Sequence, residues 1–195
     1  MEAVYIETRY EPAVVDTDEP DDPQMATSSA MIGSASAWAA GYTGAGGRVA
    51  VIDTGIDTDH QSFDADALMY SLTYQAGVVG KDPAEFLASL NMLDAEEVAG
   101  VKDQLNVNID PAKTYISKKI PFAYNYIDKN YNITHDTDTQ GEHGSHVEGI
   151  AAANRYIPNG DGTFSNALKT VLVQGVAPDA QILTCLLYTS PSPRD

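Results

Sequence analysis

The sequence predicts an α/β fold in which a mainly parallel sheet is flanked by helices. Three observations carry that reading. Short apolar runs, "RVAVID" at 48–53, "PFAYNYID" at 121–128 and "AQILT" at 180–184, alternate with stretches that bear helix signals. The first run is rich in β-branched residues and bounded by turn signals, as expected of a strand buried on both faces. The small-residue stretch "HGSHVEGIAAAN" at 143–154 precedes "VQGVAPDAQILT", a tight turn feeding an apolar strand, so strand, helix and strand follow in order.

At 195 residues and 43% hydrophobic, the chain can bury one sizeable core, as a single domain. Residues 1–24 join a strand-like run, "AVYIETRY", to an acidic, proline-bearing segment with too little apolar content to pack. "SASAWAA" at 34–40 reads as a short helix stopped at Gly41, followed by a glycine turn. The first strand comes next. Residues 66–120 read as a helical insertion. There Asp82 caps a helix with Pro83 at its first position and Glu85 following, and Asp94 with Glu97 repeats the device. Val98, Val101 and Leu105 form an apolar stripe for packing. "NGDGTFSN" at 159–166 is a turn cluster. Residues 186–195, "LLYTSPSPRD", place prolines and serines where a strand and its helix should continue, and are expected to be foreign to the fold. Cys185 is grouped with them.

The net charge of −17 argues against a nucleic-acid partner, because phosphate binding needs a basic face. A single cysteine excludes an internal disulfide and a cysteine-based zinc site. No apolar run approaches the length of a membrane span, and the opening residues lack a signal-peptide pattern.

The chemistry centres on Asp53, at the end of "RVAVIDTG". An aspartic dyad would need a second Asp-Thr-Gly, and the sequence has none. A dinucleotide site needs its glycines after the strand, whereas here "GYTGAGG" precedes it. A metal hydrolase could gather Asp57, Asp59, His60, His135, Asp138, His143 and His146, yet the zincin spacing is missing. The fourth reading pairs Asp53 with His143. A histidine acting as general base needs a carboxylate to hold its tautomer. Strand ends of a parallel sheet are where such a crevice forms. In this reading His143 opens a helix that Gly144 and Gly149 let pack closely on the sheet.

"VAVIDTGIDTDHQSFD", "HGSHVEGIAAAN" and "GVAPDAQIL", in that order, resemble the Asp block, the His block and the following stretch of the subtilisin-like serine peptidases. The lead-in "MIGSASAWAAGYTGAGG" resembles the mature start of these enzymes, and the whole, with "PFAYNYID" before the His block, resembles their lactocepin-type cell-envelope proteinase branch. The resemblance covers roughly residues 25–65 and 120–185, outside the insertion and the tail. It implies that Asp53 is the catalytic aspartate, His143 the catalytic histidine and His146 a structural histidine. Asp59 and His60 are expected to shape the turn after the strand. Ser145 and Glu148 stand where the family commonly has Thr and Ala, and Glu148 is expected to face solvent or the insertion.

The resemblance further implies a serine endopeptidase acting on protein or peptide substrates, secreted or at the cell surface and compatible with cell-wall attachment through other regions. No cofactor is expected for the chemistry, and no residue is assigned to a metal. Structural calcium is allowed, with "DTDTQGE" at 136–142 reading either as part of a calcium loop or as a solvated loop. The family's serine lies downstream of the His block, and Ser28, Ser29, Ser145, Ser165 and Ser190 have the wrong contexts for it. The domain is therefore expected to be incomplete and inactive alone. The alternative is a non-catalytic binding module. "VYIETRYEP" resembles the end of an inhibitory propeptide, with a mature start near Met25, or else is an ordinary frayed terminus.

Overall fold

A computed structural model describes residues 31–134 and 142–187. Its centre is a three-stranded parallel sheet of β1 (Arg48–Asp53), β2 (Phe122–Asn125) and β5 (Gln181–Leu186), in the spatial order β1-β5-β2. The register sets Val51 beside Thr184 and Asp53 beside Leu186. On the other side of β5, Ala123 lies beside Thr184 and Asn125 beside Leu186. Side chains alternate along each strand, so Val51, Asp53, Thr184, Leu186, Ala123 and Asn125 share one face.

That face carries helix α6 (His143–Ala152). Beneath it Ile56, Phe63, Ile120, Ala123, Ile133, Ala152, Ile182 and Leu186 form one buried cluster. The opposite face presents Phe122, Tyr124, Leu183 and Cys185, covered by Val98, Ile109, Leu105, Val107 and Tyr115 from the insertion. The insertion thus closes one side of the sheet while α6 closes the other. This cover stops short of β1, an edge strand of this sheet. The expectation of a strand buried on both faces is therefore corrected, since Ile52 is 64% exposed while Val51 is buried. β5 runs through Cys185 to buried Leu186, and the Leu187 amide donates to the Asp53 carbonyl at 3.1 Å, so the expectation that Cys185 and Leu186 are foreign to the fold is corrected.

α1 (Ser34–Ala39) ends before Gly41, which has the positive φ of a helix stop. The insertion uses one sequence device repeatedly. Asp64, Asp82, Asp94 and Asp110 cap α2 (Ala65–Val78), α3 (Pro83–Ser89), α4 (Ala95–Val101) and α5 (Pro111–Thr114). Each carboxylate accepts from first-turn amides that the helix leaves unpaired, a contribution of about 0.5–2 kcal/mol per cap. At α4 the box closes both ways, because Glu97 Oε2 also accepts from the Asp94 amide at 3.0 Å. Of the expected stripe, Val98 is buried and Leu105 packs against the same cluster, but Val101 is exposed. The helix passes into a 3₁₀ turn at Lys102–Gln104, which breaks the 3.6-residue period there.

Several elements were not foreseen, α5 among them. α2, the longest helix among the described residues, packs Leu68, Leu72 and Ala76 on Phe86 of α3. The turn cluster at 159–163 joins a β-hairpin of β3 (Tyr156–Pro158) and β4 (Phe164–Asn166), followed by α7 (Ala167–Thr170). No helix among the described residues is long and apolar enough to cross a membrane.

Candidate active site

Asp53 is the last residue of β1, where the strand hands over to Thr54 and Gly55. His143 is the first residue of α6. The helix brings its ring to the strand end, with Nδ1 2.7 Å from Asp53 Oδ1. A carboxylate can only accept, so the contact places the proton on Nδ1 and leaves Nε2 of the neutral ring with a free lone pair. The Thr54 amide donates to the same Oδ1 at 2.8 Å, which fixes the carboxylate. His143 is 34% exposed and Asp53 17%, so the ring reaches the surface while its partner lies behind it.

The two segments are held by more than this pair. The Gly144 amide donates to Thr54 Oγ1 at 3.0 Å, and the Asp57 amide donates to Ser145 Oγ at 2.8 Å. A Cβ on Gly144 would stand 2.1 Å from the Gly55 carbonyl oxygen, so only glycine permits this approach. Gly55 itself has φ +110°, and its missing Cβ makes room for the Ile133 carbonyl, which accepts from the Ile56 amide at 2.9 Å. Ile133 is carried by the loop after β2. Asn125 shapes that loop, accepting from the Ile127 and Asp128 amides and donating to the Asn132 carbonyl. Gly149 plays no such part, having open space around it.

The other residues singled out from the sequence are dispersed. His60 Nδ1 accepts from the Ser62 amide at 3.2 Å and so shapes the turn after β1, whereas there it is Asp57 that lends its side chain, Oδ1 accepting from the Asp59 amide at 3.1 Å. His146 is exposed on the outer side of α6. Ser165 donates to Asn159 Oδ1 within the hairpin. Ser28, Ser29, Ser190, His135 and Asp138, the 136–141 part of the acidic loop and the propeptide-like segment lie outside the described residues. Among the described residues no three His, Cys, Asp or Glu side chains are grouped to hold a metal ion.

Glu148 departs from expectation. It faces neither solvent nor the insertion but is 1% exposed, between α6 and the sheet. Its Oε1 accepts from Thr184 Oγ1 at 2.7 Å, and burial pushes its carboxyl up to about 8, with Thr184 opposing and the Asp53 charge adding. Sequence reasoning missed this placement, together with Thr54, Asn125 and Ile133. The signal for Glu148 was present in the spacing: Gly144, Glu148 and Ala152 recur every four residues, on one helix face.

The structure thus sets a carboxylate at the end of a parallel strand against a helix-borne histidine within an α/β architecture. The model of the subtilase family matches residues 44–193, and the chain belongs to that family. It is 32% identical to the PII-type proteinase of Lacticaseibacillus paracasei, over 76% of this chain and 6% of that protein. The PIII-type proteinase of Lactococcus lactis subsp. cremoris (strain SK11) gives the same figures. The minor extracellular protease Vpr of Bacillus subtilis (strain 168) is 27% identical over 83% of this chain and 12% of its own length. The similarity therefore runs to the lactocepin-type branch, and the chain spans a small part of the proteins it matches.

Proposed function

We propose that this chain carries the Asp–His half of the catalytic triad of a secreted or cell-surface serine endopeptidase. His143 acts as general base, taking the proton of a serine hydroxyl on Nε2 and passing it to the leaving amine. Asp53 holds the tautomer and stabilises the imidazolium without itself being protonated. The observation behind this reading is the 2.7 Å contact between Nδ1 and Oδ1, across 90 residues of sequence. Family membership, the proteinase relatives and the extracellular setting named for one of them support it. Substrates in this reading are proteins or peptides, and the chemistry needs no cofactor.

The nucleophile comes from sequence outside these 195 residues. Ser145 already accepts from the Asp57 amide, and no other serine sits in the context that the family's nucleophile has. The purified 195-residue chain is therefore expected to show no proteolysis and no covalent labelling by a fluorophosphonate probe. Labelling would overturn the outside-serine reading. Joined to a downstream peptidase region, the chain should turn over peptide substrates, and His143→Ala should abolish that turnover. Retained activity with a metal requirement would overturn the triad.

A further inference from the structure

We propose that Glu148 is a positioning residue for the Asp53–His143 pair, an uncharged buried carboxyl that ties the inner face of α6 to the central strand β5. The inference rests on reading that pair as catalytic, and its evidence is separate. Gly144, Glu148 and Ala152 are the residues by which α6 meets the sheet. Glycine and alanine there let the helix lie close, while the glutamate between them inserts a carboxyl beside the apolar cluster of Ile56, Ala123, Ile182 and Leu186. Its anchor is Thr184, which lies beside Val51, two residues before Asp53 on the same face. The carboxyl thus sits in the layer behind the pair, five residues along the helix from His143.

The surroundings favour the neutral acid. Oε1 has one donor, Thr184, and Oε2 has no hydrogen-bond partner among the described residues. An ionised carboxylate so buried would need several donors or a cation. Facing it from β1 is Asp53, whose charge repels a second one. Cys185 of β5 lies on the opposite face of the sheet, its thiol pushed up by burial first and by Glu148 second. On its own helix the nearby titratable group is His143. None of these supplies a permanent positive charge. With burial holding the carboxyl near 8 against an ordinary 4.5, its contribution to stability is full below about pH 4.5. That contribution is lost as pH rises from there through about 8.

The test compares the 195-residue chain with its Glu148→Gln, Glu148→Ala and Asp53→Asn variants. Denaturant unfolding is followed from pH 5 to 9, and the low-field His143 Nδ1–H resonance is read by proton NMR. Glutamine has the same shape and cannot ionise. The folding equilibrium of the wild type should therefore fall relative to Glu148→Gln by roughly tenfold per pH unit up to about pH 8, then level off. Glu148→Gln should keep the His143 resonance and Glu148→Ala should broaden or lose it at a pH where the chain remains folded. A gap between wild type and Glu148→Gln that does not change with pH overturns the neutral acid. A resonance lost in Asp53→Asn but untouched by Glu148→Ala overturns the positioning role alone. A resonance missing from the wild type, or indifferent to Asp53→Asn, overturns the pair and the positioning role with it.

Discussion

Gly144 and Gly55 touch backbone to backbone where α6 lands on the end of β1, and that contact is what allows His143 to reach Asp53. The Gly55 carbonyl occupies the space that a Cβ on Gly144 would need, at 2.1 Å. Gly144→Ala must therefore lift the first turn of the helix and break the bond from its amide to Thr54. The expected cost is roughly 1–3 kcal/mol in denaturant unfolding, toward the upper end because the obstacle is backbone. The low-field His143 signal should vanish in the same variant even where it remains folded.

The carboxylate is the next thing to remove. In a chain joined to a peptidase region that supplies a serine, Asp53→Asn keeps the shape of the side chain but presents an amide to Nδ1, where a proton is no longer held in place. Turnover of a peptide substrate should fall roughly 10⁴-fold, with little change in KM, the pattern of a group needed only in the transition state. A loss confined to KM would mean that Asp53 serves substrate binding instead.

The pairing was legible because it rests on local marks: a strand ending on Asp53 and a helix opening with His143 and Gly144. The caps at Asp82 and Asp94 were legible for the same reason, since an aspartate before a helix acts within three residues. What stayed hidden depends on the lateral order of strands. Nothing local to "RVAVID" says that it lies at the sheet edge, so Ile52 was expected inside and is exposed. Nothing local to Glu148 says that Thr184, 36 residues on, waits beneath it. The helix α2 was overlooked although Asp64 caps it, because its aromatic and alanine-rich sequence has a weak apolar face.

Thr184→Val isolates the hydrogen bond beneath α6. Valine keeps the volume and removes the hydroxyl that donates to Glu148 Oε1, the interaction that draws this carboxyl back down. The ionised carboxylate loses more than the neutral acid does, because bonds to charged groups are the stronger. Destabilisation should be about 0.5–1.5 kcal/mol near pH 5 and larger at pH 9, read from unfolding midpoints. Equal losses at both pH values would show that Glu148 never ionises in this range.

Lys119 has the opposite sign. It is wholly buried just before β2, with Nζ donating to the Pro178 and Ala180 carbonyls at 2.9 and 2.8 Å, and so it holds the turn that launches β5. Burial brings its ammonium down from 10.5 to about 7, with Asp179 pushing back up, and even the neutral amine retains two N–H groups for the two carbonyls. A lysine depressed in the folded state contributes stability that is full above about pH 10.5 and lost as pH falls toward 7. Lys119→Met keeps the bulk but strands both carbonyls, at a cost of roughly 2–5 kcal/mol for two buried acceptors. That loss should be greatest near pH 10 and shrink by pH 6, where the wild type bears the burden of a buried charge that methionine lacks. Denaturant unfolding of both proteins at the two pH values decides it, and a larger loss at pH 6 would show that the buried lysine is charged and stabilising through Asp179.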